Sequence, residues 1–250
     1  MNTFNVLGVK VSVTNLDLAW QQIASWVDSR TKTYVCVLPL SPIVEDSQQD
    51  PQYCKIVNEA GMATPDGMPL VWLGKWRGYR DIERTYGPDL LLKICEEGQK
   101  KGLRHYFYGT TPQTNQLLVD NLKKRFADLN IVGVYAPPFR EKGAVESQEV
   151  IQSINACRPD ILWIGLGAPK QDYWMHLHRP RLDVPVMIGV GAAFDFIAGT
   201  KPQAPAWIRQ NGMEWLFRLC CEPKRLWRRY LVTNTKFFYY LITNQLSRSS

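Results

Sequence analysis

The sequence predicts an α/β fold: a Rossmann-like, mostly parallel sheet flanked by helices, with a basic, aromatic-rich helical appendage at the carboxyl end. Three observations predict it. Two runs, 160–166 (DILWIGL) and 185–190 (PVMIGV), are almost continuously apolar and contain or meet glycines at their ends, as buried parallel strands do. From Gly102 onward, strand-like and helix-like stretches alternate at the spacing of strand–helix–strand crossovers. Beyond Trp207 the composition changes abruptly to aromatics interleaved with arginines.

The chain of 250 residues is long enough to bury a sizeable core. We divide it into an α/β domain over 1–206 and an appendage over 207–250. Six cysteines (Cys36, Cys54, Cys95, Cys157, Cys220, Cys221) form no CxxC pair and no zinc spacing, so they read as reduced core thiols of a cytosolic protein. The amino terminus lacks the basic start and apolar run of a secretory signal, and no stretch of about 18 uninterrupted apolar residues exists to span a bilayer. The formal charge of +7 is concentrated at one end: from Arg209 onward there are eight basic residues against two acidic ones. The tail therefore suits an anionic partner.

Residues 4–13 alternate around a glycine as a short hairpin, and 16–27 follow with helical spacing after the capping candidate Asn15. A strand is expected over 34–38 and a helix from Pro42 to about Asn58. Thr64, Pro65, Asp66 and Gly67 then form a turn between apolar flanks, which reads either as an ordinary turn former or as an acid or base facing a crevice. The polar stretch 77–87 reads as an exposed or mobile loop, followed by a helix over 88–101. A strand over 103–108 leads through a turn at 109–111 to a helix capped by Thr111 with Pro112 at its first position. The next strand, 131–135, runs into a rigid Ala-Pro-Pro-Phe loop flanked by Tyr135 and Phe139, and a helix covers 145–157.

In the tail, a helix from Pro223 places Leu226, Trp227, Tyr230, Leu231, Phe237, Phe238, Leu241 and Ile242 on one face, with Arg225, Arg228, Arg229 and Lys236 to its side and back. Such a helix either packs on the domain or lies on an anionic membrane surface. No recognised nucleic-acid motif accompanies the charge, so nucleic acid is not expected as a partner.

Loops at the carboxyl ends of parallel strands bind ligands in open α/β sheets, because backbone N–H groups point into the crevice and glycine allows close approach. The glycine loops after the two apolar runs, carrying Gly165, Gly167 and Gly191, are therefore the expected lining of the site, with Gly109 after the neighbouring strand. His176 and His178 sit two apart and point to different sides of a helix, which argues against a shared metal. Serine nucleophile elbows, the Walker loop and any Asp-x-Asp pair are absent. A bound diphosphate must then be met by Lys170, arginines and backbone N–H groups.

The stretches TPDG (64–67), YAPPF (135–139), IGLGAPKQ (164–171), GVGAAFDFIAGT (189–200) and EWLFRLCCEPKRLWRRYL (214–231) closely resemble the WecG/TagA/CpsF family of bacterial glycosyltransferases, in the right order over nearly the whole chain. The resemblance implies an inverting, metal-independent transferase without cofactor, working at the inner face of the cell membrane as a peripheral, cytoplasmic protein. It implies a UDP-sugar donor (N-acetylmannosamine, its uronic acid, or glucose), a polyprenyl-diphosphate-linked saccharide acceptor in cell-surface polysaccharide synthesis, and a possible homodimer. Carried over by position, Asp66 matches the proposed catalytic base, Gln171 an active-site amide, and Asp195 a donor-pocket carboxylate. Arg218, Arg225 and Arg228 match carboxyl-terminal arginines thought to close over the site; Tyr135, Phe139 and Lys170 fall in substrate-binding stretches.

The chain departs from the family pattern where Leu38, Pro39 and Leu40 replace Thr-x-Asn and where Gln203 replaces the arginine of Arg-Ala-Pro. Two other readings compete: a UDP-sugar or polyprenyl-lipid binding protein without turnover, and a nicotinamide-dependent dehydrogenase. The dehydrogenase reading lacks the full Gly-x-Gly-x-x-Gly and a ribose-binding acid.

Overall fold

A computed structural model describes residues 1–139 and 141–243, apart from the side chains of Ala206, Gln210, Arg225, Arg229, Leu241 and Ile242. In chain order its elements are the strands β1 (Thr3–Val6) and β2 (Val9–Ser12), α1 (Leu16–Asp28), β3 (Thr33–Leu38), a π-helical turn (Pro42–Asp46), α2 (Ser47–Gln49), α3 (Pro51–Asn58), β4 (Met62–Pro65), α4 (Met68–Trp76) and α5 (Gly87–Gln99). There follow β5 (Arg104–Gly109), α6 (Pro112–Arg125), β6 (Asn130–Tyr135), α7 (Gln148–Ala156), β7 (Ile161–Gly165), α8 (Lys170–His178), β8 (Val186–Gly189), α9 (Ala193–Ala198), α10 (Ala206–Gln210), α11 (Glu214–Cys221) and α12 (Pro223–Ile242).

Six strands form one sheet in the order β4-β3-β8-β7-β5-β6, every pairing parallel, and β1 and β2 form a separate antiparallel hairpin. Because side chains alternate along a strand, neighbouring residues feed opposite layers. Tyr34, Cys36 and Leu38 of β3 join the layer built with α3, α7 and α8, whereas Val35 and Val37 join α1, α5, α6 and α9. With helices on both faces, the sheet buries continuous apolar runs, which is why 160–166 and 185–190 carry so little polarity. Asn15, Thr111 and Ser147 cap α1, α6 and α7 with side-chain oxygens on backbone N–H groups, satisfying donors that the helix leaves unpaired.

The structure corrects four expectations. The helix from Pro42 is broken into a π-helical turn, α2 and α3; Asp50 caps α3 ahead of Pro51. The stretch 77–87 is not exposed throughout, since Ile82, Thr85 and Tyr86 are buried. Cys220 and Cys221 are exposed rather than in the core, although all six thiols are free. In α12 the expected single apolar face splits in two. Leu226, Thr233 and Phe237 are buried with Tyr230 between them, a stripe at spacings that stay on one helical face, while Trp227, Leu231 and Phe238, one position round, are exposed. The buried stripe packs on the π-helical turn, where the Thr233 hydroxyl donates to Glu45, and Phe237 enters the core layer of β3 and β7.

Beneath the sheet's edge, Asp172 is fully buried; Tyr53 donates to its Oδ2 at 2.9 Å, and the Cys36 thiol lies beside it. Burial pushes this carboxyl up to about 7, because the charged form has lost its water and has no cation in exchange. A carboxyl with a raised native pKa favours the folded state at low pH and loses that contribution as pH rises from the unfolded value near 4 toward 7. We expect unfolding free energy to decline over that interval, and Asp172→Asn to flatten the decline. Denaturant titrations between pH 4 and 8 check this.

Candidate active site

The carboxyl ends of β3, β4, β7 and β8 open into a cavity of about 460 Å³. Asp66 and Gly67 line it from the turn after β4, Gly165 to Ala168 and Gln171 from β7 and α8, and Gly191 and Asp195 from the β8 loop and α9. Lys201 and, from α11 and α12, Arg218, Tyr230, Thr233 and Asn234 complete the wall. The early carboxylate, both glycine loops and an arginine of the appendage thus meet in one place.

The Asp66 carboxyl accepts the Gly87 N–H on Oδ1 at 3.2 Å, and Arg84 Nε donates to the Asp66 carbonyl oxygen at 2.5 Å. Arg84 is itself fixed by a 2.6 Å ion pair with Glu214 and lies 4.1 Å from the Tyr86 ring centroid. Burial raises the Asp66 pKa most; Arg84, the Gly87 N–H and Arg218 pull it back, and Glu214 adds to the rise. The net direction is upward, so Asp66 is a stronger base than an ordinary aspartate while the cations keep it ionisable. Asp195 is paired with Lys201 at 2.8 Å, and Arg218 lies over the Phe196 ring.

Gln171 is 1% exposed, and its Oε1 accepts the N–H groups of Gly167 at 3.1 Å and Gly191 at 2.9 Å. Those two donors fix which end of the amide is oxygen. Its first task is therefore structural, holding two glycine loops against each other, and those two N–H groups are not the ones that meet a ligand. Gly167 and Gly191 have φ of 81° and 55°, which suits glycine at these turns.

Gly109 does not line this cavity: a Cβ there would sit 2.7 Å from the Gly165 backbone, so the residue serves the close approach of β5 to β7. Tyr135 also stays out, packing its ring on Tyr108 at 5.7 Å between centroids. Arg228 is exposed on α12 and is not among the residues lining the cavity, because it points away from the helix's buried stripe. The side chain of Arg225 lies outside the described residues. Lys170 and Phe139 instead border a second cavity of about 370 Å³, which shares Gly165 and Leu166 with the first; the Lys170 Nζ sits 4.2 Å from the Phe139 ring centroid.

Sequence reasoning missed Arg84, Glu214, Lys201 and Tyr86. The first lay in a stretch too mixed in charge to signal burial, although the aromatic and glycine that follow it, Tyr86 and Gly87, were a cue that the chain turns inward. At the position of the family's Thr-x-Asn the cavity wall is Pro39, Leu40 and Ser41, and Leu38 is buried in the sheet. Of the two histidines, His178 donates from Nδ1 to the Trp174 carbonyl and accepts the Glu146 N–H on Nε2, while His176 meets Tyr34 and Glu59. Among the described residues, no group of three or more His, Cys, Asp or Glu side chains gathers as a metal site would require.

A parallel sheet whose strand ends enclose a desolvated carboxylate, two glycine loops and an arginine from a later helix defines an α/β group-transfer enzyme. The particular kind is given by comparison: the chain belongs to the glycosyl transferase WecG/TagA/CpsF family, which matches residues 4–250, and it is a glycosyltransferase. Among its relatives is an N-acetylglucosaminyldiphosphoundecaprenol N-acetyl-beta-D-mannosaminyltransferase of Bacillus spizizenii, 26% identical over 226 residues that cover 88% of this chain and 86% of that one. Proteins of the same name from Bacillus subtilis and Staphylococcus aureus are each 24% identical, covering 88% and 90% of this chain and 86% and 87% of theirs. No helix among the described residues is long and apolar enough to cross a membrane.

Replacing Gln171 by Leu leaves two N–H groups without their acceptor. We expect a loss of roughly 2–4 kcal/mol in stability, read as a lower denaturant midpoint.

Proposed function

We propose that the chain transfers an N-acetylmannosamine-type sugar from a UDP-sugar to a polyprenyl-diphosphate-linked saccharide, with inversion and without a metal. The observation that carries this reading is the convergence of Asp66, Arg218 and both glycine loops on one cavity. The relatives' names supply the chemistry of the acceptor, a diphosphoundecaprenol-linked N-acetylglucosamine.

In the proposed step an acceptor hydroxyl oxygen attacks the anomeric carbon, and its proton passes to the Asp66 carboxylate. The bond from that carbon to the β-phosphate oxygen breaks, and its electron pair leaves with UDP. The charge growing on the departing diphosphate is met by Arg218 and Lys201 in place of a metal ion. Asp195, which faces the same cavity, keeps Lys201 oriented. One direct displacement assisted by one base inverts the anomeric centre.

We place the donor's nucleoside in the adjoining cavity, whose aromatic boundary of Tyr108, Phe139 and Trp174 suits a stacked base. The diphosphate then crosses the shared Gly165–Leu166 edge toward Asp66. The apolar wall at Pro39 and Leu40 leaves sugar recognition to other groups, which makes a panel of UDP-sugars the direct assay of donor identity.

Asp66→Asn is expected to cut turnover by roughly 10²–10⁴-fold while UDP binding by calorimetry stays near the parent value. Retained turnover would remove Asp66 from the role of base, and absence of UDP release from any donor would favour a binding protein. The acid limb of kcat/KM against pH reports the Asp66 pKa in the free enzyme. Because that pKa is raised, activity should fall away at a pH above the ordinary aspartate range, and Arg84→Met, which removes the strongest opposing cation, should move the limb higher still. Chelation with EDTA should leave the rate unchanged.

A further inference from the structure

The appendage is not alone in exposing aromatic surface near the cavity. Trp72 and Trp76 of α4 are 54% and 76% exposed, and four residues apart they share one helical face. That helix begins two residues after Asp66, with Met68 and Pro69 lining the cavity. Its outer face abuts the turn between α10 and α11: a Cβ placed on Gly212 would lie 3.2 Å from the Trp72 ring and 2.9 Å from Met68. Flanking that turn, Trp207, Met213, Trp215 and Leu216 are all exposed. Gly212 and Trp215 themselves line the cavity, so the aromatic surface of α4 and that of α10–α11 form one apron at its rim.

Resting on the transferase reading above, we propose that Trp72 and Trp76 are a membrane-contacting element of the α/β domain itself, seating the cavity rim on an anionic phospholipid surface. Tryptophan suits the bilayer interface, where its ring meets acyl chains and its N–H meets headgroups. Exposed basic residues stand near this surface in the chain, Lys75 in the last turn of α4, Arg80 just after that helix, and Lys224 and Arg228 at the start of α12 beyond α11, and each attracts anionic headgroups. A second protein copy on the same apron would cover the route into the cavity, whereas a fluid bilayer leaves a lipid-linked acceptor able to enter from it. The α4 contact adds a consequence of its own: the helix that follows the base would feel the membrane directly, without the appendage as intermediary.

The test uses the full chain, with vesicles of phosphatidylglycerol and phosphatidylcholine and, separately, a short-chain acceptor that stays in solution. Trp72→Ala with Trp76→Ala should reduce vesicle retention by roughly tenfold and slow transfer to acceptor embedded in vesicles. Transfer to the soluble acceptor should be unchanged, which also reports that the variant is folded. Parent-level retention in the double variant overturns the proposal, as does an equal slowing with both acceptors. If the parent chain sediments as a dimer and the double variant as a monomer with retention intact, the apron is a protein interface and the proposal fails. Absence of transfer to either acceptor by the parent chain sinks the transferase reading instead, while retention still decides the membrane contact.

Discussion

One carbonyl oxygen holds the site together. Gln171 Oε1 receives the N–H groups of Gly167 and Gly191, and so ties the loop after β7 to the loop after β8 across their strand boundary. The residue sits in the first turn of α8, whose next position is the buried Asp172. Leaving either N–H unmet inside the protein would cost free energy comparable to a lost hydrogen bond. The two loops are thus held against each other by one shared acceptor, and moving either costs a hydrogen bond. The same constraint explains why glycine sits at 189: a Cβ there would lie 2.9 Å from the Gln171 amide.

The second fixed point is Arg84. It touches the Asp66 backbone on one side and pairs with Glu214, the first residue of α11, on the other. A partly buried guanidinium between two carboxylates is stabilised by both, so its position reports on both. Displacing α11 would withdraw Glu214, and with it an anion that raises the Asp66 pKa and a partner that orients Arg84. Basicity at Asp66 and placement of the carboxyl-terminal helices are therefore coupled through one side chain, with Arg218 a turn further along α11 acting on the same carboxylate.

Much of this was legible in the sequence because it rests on local rules. The apolar runs ending in glycines, the Thr111–Pro112 helix start and the TPDG turn each carry their own signal, and a parallel sheet brings strand ends to one edge by construction. Arg84 was not legible, since nothing in RGYRDIERTYG distinguishes the guanidinium that will be enclosed beside Asp66 from those of Arg77 and Arg80 until Glu214, 130 positions later, is known to be its partner. Gly109 and Tyr135, which lie outside the cavity lining, are ambiguous for a different reason. A glycine or tyrosine at a strand's end looks the same whether it meets a ligand or a neighbouring strand, and here the neighbours are Gly165 and Tyr108.

The appendage shows where helical periodicity stops being sufficient. A twofold choice of stripe existed on α12, and the contact of Leu226, Thr233 and Phe237 with the domain settles which is inside. Burying that stripe leaves Trp227, Leu231, Phe238 and Tyr239 outside, a surface too apolar to be explained by solubility alone. It also brings Tyr230, Thr233 and Asn234 to the cavity wall, so packing the helix and finishing the site are one event. A chain built this way couples formation of its cavity to the docking of its most basic segment, and the aromatic residues left exposed by that docking face away from the domain.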